Sequence, residues 1–176
     1  MELISAGDNA PQEVNVLIEI EQGSYPAKYE FDKTIGMMVL DRFIHTDMRY
    51  PCNYGFIPGT LSGDGDPLDV LVYSKYPIAQ KALVTSRPIG MLITHDEKGE
   101  DQKIIAVPSS KIDPYATDIT EYHHLPDIFI KQVQFFFERY KDLEKNKWVK
   151  VEKWKGAAEA MHCVEQSINN FHISQE

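Results

Sequence analysis

The sequence predicts an α+β protein in which a small closed β-barrel carries two main helices on its outside. Short apolar segments with turn residues between them fill the first two thirds of the chain, which is typical of antiparallel strands. Two segments with apolar residues at helical spacing follow in the last third. Because no repeat, low-complexity tract or long polar linker divides the chain, we expect a single domain over residues 1–176.

The strand predictions rest on alternation and on turn residues. Residues 14–20 alternate between apolar and other side chains, as in a half-buried strand. Further strands are predicted at residues 25–31, 36–44, 68–73, 82–94, 101–107 and 147–151. Pro88 and Gly90 predict a break within the 82–94 segment.

Helical periodicity is clear in two places. Residues 126–143 place Phe129, Val133, Phe136 and Tyr140 on one face, with a proline near the first turn. Residues 156–171 carry a second apolar stripe formed by Ala157, Met161, Val164 and Ile168. We therefore expect both helices to pack on the barrel through these faces.

Composition restricts the class of function. The formal net charge is −9 over 176 residues, which argues against non-specific nucleic-acid binding because such binding needs a basic surface. An anionic substrate would need cations to mediate its binding. No apolar run is long enough to span a bilayer, so we expect no membrane association.

The N-terminal residues and the cysteines predict a cytoplasmic protein. The N-terminal sequence lacks a basic segment followed by an apolar one, so we expect no signal peptide. Cys52 and Cys163 have no metal-ligand spacing, and a disulfide between them is possible but has no support. We expect reduced thiols.

The segment DGDPLD, residues 64–69, places three carboxylates within six residues. Gly65 and Pro67 favour a turn, in which the carboxylates can converge and bind a hard divalent cation. A solvated loop with aspartate chosen for turn propensity explains this segment equally well. An EF-hand is excluded because the spacing is wrong and the twelfth position is Lys75, not glutamate.

Acidic and basic residues recur on the same strand faces. Asp101 shares a strand face with Lys103, and Lys28 shares one with Glu30, while Glu19 lies on the polar face of its strand. A second acidic cluster comprises Asp96, Glu97, Glu100 and Asp101. Ordinary surface ion pairs account for each pair singly, but their recurrence favours a polar wall inside the barrel or at its mouth.

Several cationic and phenolic side chains could bind phosphate oxygens, since guanidinium groups and tyrosine hydroxyls are suitable donors. For Tyr50 and Tyr54 the alternative is packing at a barrel rim. For Tyr140 and Lys141 it is a core tyrosine followed by a lysine that the helix dipole favours. The candidate donors are Arg42, Arg49, Tyr50 and Tyr54 before the acidic run, and Tyr140 and Lys141 at the end of the first helix.

Other catalytic chemistries have little support. His123 and His124 are adjacent, so they cannot easily bind one zinc ion, and no HExxH pattern is present. Cys52 has no basic neighbour in sequence that would mark a nucleophile. The chain has no GxSxG, Walker A or helix-opening GxGxxG motif.

The motifs of the chain resemble those of the family I soluble inorganic pyrophosphatases of the bacterial short-chain type. The family signature Asp-x-Asp-Pro-x-Asp, followed by an apolar residue, is matched by DGDPLDV at residues 64–70. The resemblance continues in order and spacing over nearly the whole chain, through IEI, KYE, DRF, YPCNYGFIPGTLS, RPIGML, DEKGEDQKIIAVP and FFERYKDLEKNKWVKVEKW.

The resemblance implies an OB-like five-stranded barrel and Mg²⁺-dependent hydrolysis of pyrophosphate by a metal-activated water, without a covalent intermediate. Mn²⁺ or Zn²⁺ are possible substitutes. It implies metal ligation by Asp64, Asp69, Asp101, Asp96 and Glu19. It implies phosphate binding by Lys28, Arg42, Tyr54, Lys103, Tyr140 and Lys141. Asp66 would be the general base, and Glu30 and Tyr50 would support the pocket.

The resemblance also implies a homohexamer. Histidines often occur in the family around the FFxxY helix segment at the trimer contact, but residues 134–140 contain none, so the resemblance does not define the details of this contact. Two other interpretations remain open from the residues alone. One is a non-catalytic OB-type module that binds nucleic acid or a partner protein, and the other is a structural calcium-binding protein.

Overall fold

The candidate residues are carried by a mainly antiparallel sheet, a separate hairpin and the end of one helix. The structure is a computed structural model that describes residues 4–176. Its strands are β1 (Val14–Ile20), β2 (Ala27–Asp32), β3 (Met37–Phe43), β4 (Asn53–Phe56), β5 (Asp69–Val72), β6 (Leu83–Asp96), β7 (Gly99–Pro108) and β8 (Val149–Gly156). Its helices are α1 (Asp127–Arg139) and α2 (Ala157–Ser174).

The main sheet has the strand order β1-β4-β5-β7-β6-β8, and β1 also pairs with β6. The β5–β7 pair is parallel, whereas the other pairs are antiparallel. Strands β2 and β3 form a two-stranded sheet of their own. The expected small α+β fold is confirmed.

The sheet buries apolar side chains on both of its faces. On β5, Leu71 belongs to a core cluster that includes the apolar face of α1. Its neighbours Val70 and Val72 belong to a second cluster that includes Ala160, Cys163 and Val164 of α2. The alternation of side chains along a strand therefore lets the two helices cover opposite faces.

Most predicted elements differ from the structure by one to three residues at their ends, and three features differ in ways that have a physical reason. The predicted interruption at Pro88 and Gly90 is present as an irregularity in the pairing with β7, but it does not end the strand, because β6 pairs with its neighbours on both sides of it. Helix α1 ends at Arg139, before residue 143. Strand β8 extends to Gly156 because it pairs with β6 as far as Gly90.

Sequence patterns missed β4, which is four residues long and lies between Pro51 and Pro58. Its glycine has a steric reason. A Cβ atom on Gly55 would lie 1.9 Å from the carbonyl oxygen of Leu17 on β1. The residue therefore permits close backbone approach rather than marking a turn.

Cys52 and Cys163 are both buried and free of a disulfide. Within residues 4–176, no helix has the length and apolarity needed to cross a bilayer.

Candidate active site

Lys103 lies at the centre of the candidate site and is 4% exposed. Its Nζ lies 2.9 Å from Asp69 Oδ2 and 3.0 Å from Asp101 Oδ2, and it donates to the Tyr54 hydroxyl at 3.1 Å. The parallel pairing of β5 with β7 places Asp69 opposite Lys103. Two carboxylates from adjacent strands thus converge on one buried ammonium group.

Burial and the neighbouring charges act against each other in this cluster. Burial lowers the pKa of Lys103, but the neighbouring Asp69, Tyr54 and Asp101 raise it by more, so the net pKa lies well above its usual range. Burial raises the pKa of Tyr54 well above its usual value. At neutral pH, Lys103 is therefore a cation and Tyr54 a neutral hydroxyl donor.

Asp69 and Glu19 are carboxylates with unusual surroundings. Burial raises the pKa of Asp69, against the lowering effect of Lys103. Glu19 on β1 accepts a hydrogen bond from the Phe31 backbone N–H at 2.8 Å. Its pKa is nevertheless raised to about 7, first by burial and then by the negative charges of Asp69 and Glu30. Both groups would gain stability in their ionised forms from a nearby cation.

The acidic run forms an exposed turn beside this buried cluster. Gly65 has a φ angle of +87°, which favours glycine, and the Asp66 N–H donates to Asp64 Oδ1 at 3.0 Å. Burial raises the pKa of Asp64, and the negative charges of Asp101 and Asp66 raise it further. A cavity of about 130 Å³ joins the turn to β7; it is lined by Ser62, Gly63, Asp64, Glu100, Asp101 and Gln102.

The β2–β3 hairpin supplies two cations. Lys28 lies opposite Arg42 in the strand pairing. The Lys28 ammonium lies 2.8 Å from Glu30 Oε1 and 3.8 Å from Asp41 Oδ2. Arg42 contacts Asp41 at 2.6 Å. The predicted Lys28–Glu30 pair is therefore present, and it is accompanied by Asp41, a carboxylate that was not singled out from the sequence.

The segment after α1 supplies Tyr140 and Lys141. Tyr140 is buried and stacks on Phe136, with ring centroids 5.0 Å apart. Burial raises the pKa of Tyr140 to about 12, so it is a neutral hydroxyl group at neutral pH. Lys141 Nζ lies 3.9 Å from Asp96 Oδ2, and burial lowers the pKa of this lysine.

Tyr50 joins the aromatic wall of the site. Its ring centroid lies 5.2 Å from that of Tyr54 and 4.6 Å from that of Phe136. Arg49, by contrast, is exposed; it donates to the Gly23 carbonyl at 3.1 Å and lies over the Tyr25 ring. The sequence placed the two residues in one candidate group, but their contacts differ.

Sequence reasoning also missed Glu144. Its side chain is only 5% exposed, and Oε1 lies 2.8 Å from Arg42 Nε. A carboxylate so deeply buried in the structure is unusual, but its partner lies 102 residues away in the chain, so no local pattern could have identified it.

A second group of possible ligands lies on strands β6, β7 and β8, and it shares Glu100 with the lining of the cavity beside the turn. His95, Glu100 and Glu152 bring three possible ligand atoms within 4.8 Å of one another. None of them belongs to the predicted metal set, and two have other partners. Glu100 accepts from Gln102, and Glu152 pairs with Lys153 at 3.1 Å.

Comparison with known proteins decides the family. A family model described as inorganic pyrophosphatase matches residues 16–172. This chain belongs to the inorganic pyrophosphatase family. An inorganic pyrophosphatase of Mesorhizobium japonicum is 51% identical over 168 residues, covering 96% of this chain and 95% of the relative.

Solved structures of family members agree with the assignment. The inorganic pyrophosphatase from Thermus thermophilus has a TM-score of 0.93 and 40% identity, covering 97% of this chain and 98% of that structure. A structure described as an inorganic phosphatase from Anaplasma phagocytophilum has a TM-score of 0.94 and 49% identity, covering 96% and 99% of the two chains.

The family hydrolyses pyrophosphate to two phosphates, and the chain is a hydrolase of this class. The resemblance found from the sequence motifs is confirmed. The two non-catalytic interpretations, a nucleic-acid or protein-binding module and a structural calcium-binding protein, give way to an enzyme.

Proposed function

We propose that hydrolysis takes place around Lys103, by direct attack of water on pyrophosphate with Mg²⁺ as the metal. The observation that carries this proposal is the arrangement of charges. The carboxylates of Asp69 and Asp101 meet at Lys103, and the remaining predicted cations and phenols lie on the elements around them. Such a site can bind both divalent cations and a polyanion.

The predicted ligands fit a hard divalent cation. They are carboxylates alone, which suits Mg²⁺. Burial is the main cause of the raised pKa values of Glu19, Asp64 and Asp69, and a bound cation would favour their ionised forms. Asp64, Asp69 and Asp101 would hold the two main ions. Asp96 with Asp101, and Glu19, would hold further ions, and Mn²⁺ or Zn²⁺ are candidate substitutes.

When bound, these ions would lower the pKa of water and stabilise negative charge on the attacking and leaving oxygens. The chain itself supplies the phosphate donors. Lys28, Arg42, Lys103 and Lys141 would offset the charge of the two phosphates, while Tyr54 and Tyr140 would donate neutral hydroxyl hydrogen bonds.

Asp66 is the proposed general base. It is exposed on the turn, where its carboxylate can accept a proton from the attacking water. The hydrogen bond from its backbone N–H to the Asp64 carboxylate stabilises the turn. No side chain is needed as a covalent nucleophile. Glu30 would orient Lys28, 2.8 Å away, and Tyr50 would support the rings of Tyr54 and Tyr140.

The finer features of the architecture are also proposals. We infer that five strands close into an OB-like barrel; the support is the ring of pairings in which β1 joins both β4 and β6. We infer a single catalytic domain over residues 1–176, as the family match over residues 16–172 suggests.

We further propose a cytoplasmic homohexamer. The two free, buried cysteines fit a reducing compartment. Exposed apolar residues on α1, Ile128 and Phe135, offer surface for contacts between copies. Light scattering at micromolar protein concentration tests the assembly, and a monomer mass would contradict it.

Phosphate release from pyrophosphate tests the proposed function. We expect rapid release with excess Mg²⁺, and its loss both in EDTA and in the Asp69→Asn variant. The matched control is Asp118→Asn, since Asp118 is exposed and lies on a loop, and it should behave like the wild type. Release that continues in EDTA, or that survives in Asp69→Asn, would contradict the proposal.

A further inference from the structure

An ion pair with a buried carboxylate connects the β2–β3 hairpin to the segment after α1, residues 140–147. Arg42 Nε lies 2.8 Å from Glu144 Oε1, and Arg42 Nη2 lies 3.5 Å from Glu144 Oε2. Nη2 donates a long hydrogen bond to Oε2, whereas Nε makes no aligned hydrogen bond despite its short distance to Oε1. The Glu144 side chain is 5% exposed and that of Arg42 is 22% exposed.

The guanidinium group is held from a second side. Asp41 Oδ2 lies 2.6 Å from Arg42 Nη1, but the Asp41 side chain is 37% exposed. Glu144 is therefore the better shielded of the two carboxylates. A charge pair that is shielded from solvent is less screened and more restrictive in geometry than an exposed one.

Glu144 is itself fixed relative to the phosphate-binding candidates at the end of α1. Its backbone N–H donates to the Lys141 carbonyl at 2.9 Å, and Tyr140 directly precedes Lys141. Tyr140 is also connected to the hairpin side of the site. Its backbone carbonyl accepts a hydrogen bond at 3.5 Å from the hydroxyl of Thr46, a residue just after β3. Glu144 thus lies one turn after the candidate donors Tyr140 and Lys141, while its carboxylate contacts a third candidate donor, Arg42.

We propose that Glu144 is a positioning residue, which fixes Arg42 relative to Tyr140 and Lys141 so that donors from two separate elements grip one pyrophosphate. This inference rests on the proposed role of Arg42 in binding phosphate. Burying a carboxylate costs solvation energy, and a buried ion pair often adds little to stability. Its clearer use is to specify geometry, and small displacements of binding groups have large effects on rate.

Steady-state kinetics with Mg²⁺ and pyrophosphate test the inference. Glu144→Gln keeps the shape of the side chain but removes its charge, and we expect kcat/KM to fall about 10- to 100-fold. Glu144→Asp keeps the charge and should restore part of this loss. The control is Asp142→Asn, an exposed carboxylate of the same segment, which should change kcat/KM by less than about twofold.

A double-mutant cycle separates positioning from a purely structural effect. If Glu144 acts through Arg42, the Glu144→Gln change should lower kcat/KM by less than about twofold in an Arg42→Met background. An equal loss in both backgrounds would overturn the proposal, as would a Glu144→Gln enzyme with wild-type kcat/KM. Should Glu144→Gln fail to fold, Glu144→Asp carries the same cycle.

The Arg42→Met variant alone distinguishes two kinds of failure. If it retains wild-type kcat/KM, the proposed phosphate contact of Arg42 is wrong and the role of Glu144 falls with it. If Arg42→Met is impaired while Glu144→Gln is not, only the positioning role is wrong, and the proposed function stands.

Discussion

The buried centre of the site and its exposed turn hold their carboxylates in different ways. Asp69 and Asp101 lie 2.9 and 3.0 Å from the Lys103 ammonium, whereas Asp64 and Asp66 are exposed on a turn in which the Asp66 N–H donates to the Asp64 carboxylate. In the centre, the positive charge of Lys103 holds the two carboxylates in place. The turn leaves its oxygens available to ions and water.

This difference predicts that the two regions respond differently to mutation. Changes at the centre remove a partner from buried charges, so they should affect both folding and activity. Changes at the turn leave no buried charge without a partner, so they should affect activity while stability remains close to that of the wild type.

The largest effect on activity is expected at the turn. Asp66→Asn should lower kcat about 10²- to 10⁴-fold, because a positioned base contributes on that scale. Its free energy of unfolding in urea should stay within about 0.5 kcal/mol of the wild type. Unchanged turnover would remove Asp66 from the role of base, and a large loss of stability would break the comparison.

Lys103→Met should impair the centre in both respects. Loss of one donor to the phosphates should lower kcat about 10²- to 10³-fold. Two carboxylates are then left without their cation, which should cost about 3 kcal/mol of stability in EDTA. Urea unfolding with and without Mg²⁺ measures this, and we expect Mg²⁺ to recover part of the loss; a variant as stable as the wild type in EDTA would contradict the account.

Glu19 gives a pH-dependent prediction for the metal-free protein. Its pKa is about 7 in the folded state against 4.5 as the ordinary value, so the folded state holds a proton that the unfolded state has lost. Wild-type stability in EDTA should therefore fall as the pH rises from about 4.5 to 7 and then level off.

The matched variant for this pH dependence is Glu19→Gln, which cannot ionise. By pH 8 it should be more stable than the wild type by up to about 3 kcal/mol in EDTA. Urea unfolding curves between pH 4.5 and 8 measure the difference. A constant difference across that range would show that ionisation of Glu19 is not its source.

The smallest effects are expected at the two buried cysteines, to which no role in catalysis is assigned. Burial raises the pKa of Cys163 to about 11 and raises that of Cys52 as well. Thiolates are the reactive form, so alkylation at pH 8 should be roughly 100-fold slower in the native than in the unfolded protein. Rapid labelling of the native enzyme would contradict this burial.

The sequence predicted those parts of the protein that local patterns determine. The acidic turn was identified from Asp64 to Asp69 because glycine, proline and aspartate have local meanings. Strand β4 was missed because its glycine, Gly55, is required by the close approach of the Leu17 carbonyl on another strand, which no local pattern shows. Glu144 was missed for the same reason, since its partner Arg42 is remote in sequence. The roles of the predicted site residues stay predictions.

The central claim is that the exposed turn and the buried centre form one metal site. Mn²⁺ binding, followed by electron paramagnetic resonance of the free ion in Asp64→Asn and Asp69→Asn, tests it most directly. We predict that each substitution lowers the affinity for the same tightly bound Mn²⁺ ion by at least about tenfold, since one residue from each region would hold that ion. If Asp69→Asn weakens binding while Asp64→Asn leaves it unchanged, the turn and the centre do not share an ion and the claim is wrong.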